Sequence, residues 1–278
     1  MKELFDKVSL KCSKLATTSY STSFSLGIRC LSKELRDPIC AIYGFVRFAD
    51  EIVDTFHDYN KPDLLKRFTE DTYRAIEEGI SLNPILNSFQ YAVNTYNINL
   101  ELIDQFLYSM EMDLSDQQYD QEKFETYILG SAEVVGLMCL KVFCKGEQKQ
   151  YEALKPYAMK LGSAFQKINF LRDLEADYVD MGRTYFPGLE MSEFNAENKS
   201  TIEEDIEKDF KMGFEGIKRL PQSAKFGVYL AYRYYYNLFK KIKKTPPSHV
   251  LSERIRIPNQ RKFSILCYSY LKHRLNLI

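Results

Sequence analysis

Tryptophan is absent from this 278-residue chain, and histidine nearly so, with three copies at positions 57, 249 and 273. The six cysteines (12, 30, 40, 139, 144 and 267) form no C-x-x-C pair and have no histidine at ligand spacing, so zinc is not expected and reduced thiols are. Net charge is also lacking: 38 Lys and Arg balance 38 Asp and Glu, and no global field recruits nucleic acid. The longest apolar run, Val134 to Leu140, is far below the roughly 20 residues needed to span a bilayer. Met1 to Asp6 lacks the apolar segment of a signal peptide, and the expectation is a soluble, cytoplasmic chain. Alternating strand patterns and Asn-Gly turns are missing as well. What remains is helical periodicity almost throughout, which predicts an all-α fold, a helical bundle with 1–278 as one domain.

Helix signals are plentiful. Asp37-Pro38 and Asn83-Pro84 each set a capping side chain before a first-turn proline. Asn99 and Asp120 read as further caps, and Gly79 and Gly146 as stops. The periodicity predicts helices over 2–18, 22–34, 38–56, 62–78, 84–96, 100–114, 121–144, 148–177, 203–220, 222–243 and 260–276, with irregular segments at 178–202 and 244–259.

Two of these helices carry unusual polar stripes. On 38–56, Tyr43, Arg47, Asp50 and Asp54 share one face of an otherwise apolar helix. On 148–177, Gln166, Asn169, Asp173 and Asp177 do the same. A lone D-x-x-x-D is weak, since Asp54/Asp58 and Asp116/Asp120 share the spacing. Two such stripes on apolar helices are more specific. Charges ~6 Å apart repel by about 3 kcal/mol at an effective dielectric near 20, so four buried aspartates around one cavity need cations. Oxygen donors without Cys or His suit Mg²⁺, with Mn²⁺ as the substitute, and Mg²⁺ bridges readily to phosphates. The pattern points to chemistry on a diphosphate.

The motifs resemble those of the squalene/phytoene synthase family of head-to-head prenyl synthases. Asp50-Glu51-Ile52-Val53-Asp54 matches the first aspartate-rich motif, and Gln166 to Asp177 matches the second, Q-x-x-N-x-x-R-D-x-x-x-D. Gly182-Arg183-Thr184-Tyr185-Phe186-Pro187 resembles the G-R-x-Y-x-P flap. Tyr20-Ser21-Thr22-Ser23-Phe24 resembles H-S-x-S-F, with Tyr in place of His. Tyr127 to Gly136 resembles Y-C-x-x-V-A-G-x-V-G, with Ile128 for Cys and Glu133 for Gly, and Ser252 to Ile257 resembles the C-terminal basic element.

The resemblance implies an isoprenoid-synthase fold with the aspartate helices facing across a central cavity. Asp50, Asp54, Asn169, Asp173 and Asp177 would hold Mg²⁺ against the substrate diphosphates. Tyr20, Ser21, Ser23, Arg47, Gln166, Arg172, Arg183 and Arg254 would bind substrate, though each arginine has a structural ion pair as its plainer alternative. Tyr43, Tyr127 and Tyr185 would face the cavity, joined by Tyr235 if the register through Tyr234-Tyr235-Tyr236 favours it. The expected reaction condenses two prenyl diphosphates through a cyclopropylcarbinyl diphosphate. D-E-I-V-D and G-R-T-Y-F-P look closest to phytoene-forming bacterial members, which implies C20 substrates and no NADPH; dehydrosqualene or squalene formation from C15 units is the alternative. A non-catalytic interaction protein and a class I terpene cyclase are the readings from other classes. Lys240-Lys241-Ile242-Lys243-Lys244 offers a basic patch for weak peripheral contact with the inner membrane face, or simply a solvated helix end.

Overall fold

The computed structural model describes residues 1–115, 119–181, 185–188, 194–252 and 254–275, with side chains described in these ranges except at 176–181. Among the described residues every regular element is helical: α1 (Lys2–Tyr20), α2 (Thr22–Arg29), α3 (Lys33–Asp54), α4 (Lys61–Glu78), α5 (Pro84–Tyr96), α6 (Leu100–Met112) and α7 (Gln121–Ile128). A π-helical turn (Leu129–Glu133) follows, then α8 (Val134–Phe143), α9 (Gln148–Met181), α10 (Ala196–Arg219), α11 (Gln222–Lys244), α12 (Pro247–Val250) and α13 (Asn259–Arg274).

Several caps sit where side-chain chemistry places them. Asn83 accepts from the Ile85 and Leu86 amides, and Asp120 from that of Lys123. Gly79 ends α4 at φ 69°, a conformation that favours glycine. Two boundaries differ from the sequence pattern. The 22–34 stretch breaks after Arg29, and α3 starts at Lys33 with Ser32 at its N-cap, so Asp37-Pro38 lies inside the helix instead of opening it. Pro38 removes one backbone bond, and burial of Leu35, Ile39, Ile42 and Phe45 on the same helix outweighs that loss. Asn195 caps α10 by accepting from the Glu197 and Asn198 amides, which starts the helix at Ala196 and not at 203. The expected irregular stretch from 178 is likewise shorter, because α9 runs on to Met181.

The core gathers around α3. Phe45 stacks on Phe89 with centroids 3.8 Å apart, and Phe68 and Phe106 close round it. By length and composition Gln121–Phe143 is apolar enough to cross a membrane; here the π turn interrupts it and most of that stretch is buried. The turn lies hard against α6. A Cβ on Gly130 would stand 2.4 Å from the Gln105 carbonyl oxygen and 2.6 Å from Ser109 Cβ. Its extra residue re-aims the chain so that Ser131 and Ala132 face an internal cavity.

Candidate active site

That cavity, about 360 Å³, runs between α2, α3, α8, α9, α10 and α11. Its polar end is made by Arg47 and Asp50 on α3 and by Gln166 and Asn169 on α9. Beneath lies an aromatic collar of Phe24, Tyr43, Phe165 and Tyr235, with Tyr235 stacked on Phe165 at 4.1 Å and Phe24 within about 6 Å of Tyr43 and Tyr235. Below the collar the walls are largely apolar down to Ile39, Phe143 and Leu154. Tyr43, Arg47 and Asp50 of the first predicted stripe and Gln166 and Asn169 of the second therefore line one cavity.

At the mouth Asp50, Glu51 and Asp173 each have a cationic neighbour. Arg47 pairs with Glu51, lies 4.0 Å from Asp50, and stacks its guanidinium 4.5 Å above the Tyr20 ring. Asp173 is gripped from two sides: the Arg254 Nε stands 2.7 Å from it, and Arg172 donates to both its carboxylate oxygens. Burial, with the charges of Asp54 and Asp113 adding to it and Arg47 opposing, pushes the Asp50 carboxyl up to about 7. Tyr43 is pushed up to about 12, chiefly by burial, so it keeps its proton at neutral pH. Burial also raises Tyr235, whose hydroxyl donates to Asn169 Oδ1 at 3.3 Å.

Other predicted residues sit elsewhere. Tyr127 and Tyr185 do not line the cavity. Both are buried in a second aromatic cluster in which Tyr185 stacks on Phe170 at 4.1 Å, with Tyr119, Phe124 and Phe186 around them. The cavity wall already has its aromatics from α2, α9 and α11, which leaves these two to seal the far side of α9. Tyr20 touches Arg47 from outside the cavity, and Ser21 caps α2 by accepting from the Phe24 amide. Ser23 is half-buried and off the cavity wall. Asp54 is exposed at the end of α3 and acts on Asp50 through its charge. The Asp177 side chain and all of Arg183 lie outside the described residues.

Sequence reasoning missed Asp113, at the C-terminal cap of α6. It is buried, accepts the Tyr127 hydroxyl at 2.7 Å, and raises Asp50 electrostatically. No stripe announces it, because it lies past the last turn of its helix. Tyr127→Phe removes that donor and is expected to cost about 1–2 kcal/mol of stability, read as a lower denaturant midpoint at unchanged m-value. An unmoved midpoint would show that this hydrogen bond contributes nothing. Also unanticipated is the ion network one residue along from Gln166. Lys167 pairs with Asp205 and Asp209, and Asp209 also accepts from Ser163 and lies 3.4 Å from Lys160, which fixes α9 onto α10. Glu133, which replaces the motif's glycine, feels this network, and burial raises its carboxyl.

The donor set suits a hard divalent cation. Among the described residues no three acidic, His or Cys side chains close into a ready-made cage. Oxygen donors instead sit on two helices at a mouth where Asp50 lacks enough positive charge to stay ionised at ordinary carboxylate pH. That fits Mg²⁺, which takes few protein ligands and completes its shell with water and phosphate oxygens.

Fold and mouth together define an all-α protein with a charged rim over a deep apolar cavity. The family model for squalene/phytoene synthase matches residues 17–261, and the chain belongs to that family, the head-to-head prenyl synthases. It is 28% identical over 197 residues to 4,4'-diapophytoene synthase of Staphylococcus haemolyticus (strain JCSC1435), a match that takes in 68% of this chain and 65% of that one, just under two thirds of its length. Phytoene synthase of Arthrospira platensis is 24% identical over 286 residues, covering 93% and 91% of the two chains. Among solved structures, a dehydrosqualene synthase in complex with ligand superposes with a TM-score of 0.82 at 21% identity, covering 96% of this chain and 98% of that one; this likeness is one of fold.

Proposed function

We propose that this chain condenses two molecules of geranylgeranyl diphosphate, head to head, into phytoene with release of two pyrophosphates. The single observation that carries the reading is the cavity itself. From Asn169 at the mouth to Leu154 at the floor it spans 15 residues of α9, ~22 Å at the α-helical rise, a shaft suited to four isoprene units.

Asp50, Asp54, Asn169 and Asp173 would hold Mg²⁺, which when bound would supply Lewis-acid stabilisation of the leaving diphosphate. The chain's own groups do the rest. Arg47, Arg172 and Arg254 take up negative charge as the C1–O bond of the first substrate breaks. The resulting allylic cation lies against the faces of Phe24, Tyr43, Phe165 and Tyr235, which stabilise it by cation–π attraction. The C2–C3 double bond of the second substrate attacks it, and loss of a proton to released pyrophosphate closes the cyclopropane. A second ionisation, rearrangement and proton loss give the polyene, with no reductant. Tyr43 and Tyr235 stay protonated and act as donors, and the apolar walls keep out water that would trap the cation as an alcohol.

Matched incubations with C15 and C20 diphosphates and Mg²⁺, with and without NADPH, test the assignment. The expected result is a C40 hydrocarbon from the C20 substrate at a rate indifferent to NADPH. A C30 product formed preferentially from the C15 substrate overturns the chain-length assignment and makes this a dehydrosqualene or squalene synthase, separated by the NADPH requirement.

A further inference from the structure

We propose that α13 is a docking face for an anionic membrane surface. The charge that is balanced overall is not balanced along the chain. Residues 240–278 contain ten Lys or Arg and one acid, Glu253, leaving 28 basic against 37 acidic residues in the rest. α13 carries four of these basic residues, Arg261, Lys262, Lys272 and Arg274, beside exposed apolar side chains. Its inner side packs Ile265 against Leu230 and Tyr234 of α11. Its outer side carries Phe263, Cys267, Tyr270, Leu271 and Arg274 along one stripe, with Phe263 67% and Leu271 59% exposed.

The helix start argues for an anionic partner. Arg261 and Lys262 occupy the first turn, where the helix dipole disfavours cations, and the N-cap is Pro258, with no side-chain cap and no acid in the first turn. Lys262 donates to Thr22, whereas the exposed Arg261 complements something negative outside the helix. A second copy of the same face would bring like charges together. An anionic bilayer takes the basic groups at headgroup level and the Phe, Tyr and Leu side chains at the interface. The Lys240–Lys244 run is not the principal contact, because Lys241 donates to the Arg256 carbonyl and Lys243 pairs with Glu207.

Position gives the face its purpose. Lys262 Nζ donates to Thr22 Oγ1 at 2.8 Å, beside the Ser21 cap and Phe24, and Arg254, on the segment leading into α13, reaches Asp173. The start of α13 thus adjoins the cavity mouth, where a prenyl diphosphate held in a bilayer would enter tail-first. This purpose rests on the proposed function, whereas the surface itself is tested by binding alone.

The experiment is co-sedimentation of the full chain with phosphatidylcholine vesicles, with and without phosphatidylglycerol. Binding is expected with phosphatidylglycerol and should be about tenfold weaker without it. Two double variants, Arg261→Glu with Arg274→Glu and Phe263→Ser with Leu271→Ser, should each weaken binding about tenfold. Helix content and melting temperature should hold, since all four side chains are exposed. Lys211→Glu on α10, a charge reversal at another exposed lysine, should bind like the parent. Equal binding to both vesicle types, no sedimentation with either, or parent-like binding by both double variants overturns the proposal, whatever the enzyme's turnover.

Discussion

Asp50→Asn is expected to make the metal-free protein more heat-stable while lowering turnover by about two to three orders of magnitude. The stability gain follows from linkage. The Asp50 carboxyl is raised from 3.8 to about 7, so between those values the folded chain holds a proton that the unfolded chain has released. Stability therefore falls as pH rises from about 4 to about 7 and levels off above. At pH 8 the penalty is fully present, and because 31% of the side chain remains accessible we discount it to on the order of 1–2 kcal/mol. In a chain of this size that corresponds to a few degrees in melting temperature. Thermal scans in chelator should show the parent melting higher at pH 5.5 than at pH 8 and the variant largely losing that slope. Glu133, also raised by burial, leaves a smaller residual slope of the same sign. A variant that melts lower than the parent at pH 8 would mean that Asp50 is a structural anion and not a charge held for a cation. Turnover within tenfold of the parent would remove it from the chemistry.

The second large effect is structural. Gly130→Ala is expected to destabilise the fold by about 3 kcal/mol, roughly 6–10 °C in melting temperature. Its new Cβ would meet the Gln105 carbonyl oxygen at 2.4 Å, and a carbonyl inside α6 cannot swing aside as a side-chain tip can. Either α6 moves or the π turn does, and the turn is what aims Ser131 and Ala132 into the cavity. Gly79→Ala supplies the contrast. Nothing lies within 4 Å of its Cβ, so the cost is only that of φ 69°, about 1 kcal/mol. Equal shifts for the two variants would show that backbone strain, and not the α6 contact, controls both.

Much of the fold could be read from periodicity, because α3, α4, α10 and α11 are strongly amphipathic and several helices carry a recognisable capping residue. The departures have physical causes. Pro38 looks like a helix start by local rules, and only the burial of the residues around it reveals that α3 runs through. The π turn leaves no mark on a hydropathy pattern, since it shifts the register by one residue within an apolar run. In the site, stripe arithmetic found Tyr43, Arg47, Asp50, Gln166 and Asn169, all on the cavity wall. The family resemblance placed Tyr127 and Tyr185 on that wall too, where a chain with twenty tyrosines offers many interchangeable aromatics. Asp113 was out of reach because it lies past the last turn of its helix, and the Lys167 network because it depends on pairing between helices some forty residues apart in sequence.

Head-to-head condensation requires coupled ionisation of two diphosphates in one cavity. The direct measurement is the ratio of pyrophosphate released to hydrocarbon formed, with purified protein, geranylgeranyl diphosphate and Mg²⁺. Two pyrophosphates for each C40 molecule, with release suppressed by chelator, is the predicted result. One pyrophosphate for each cyclic C20 product would make the chain a terpene cyclase, and no release from a folded protein would contradict the catalytic reading altogether.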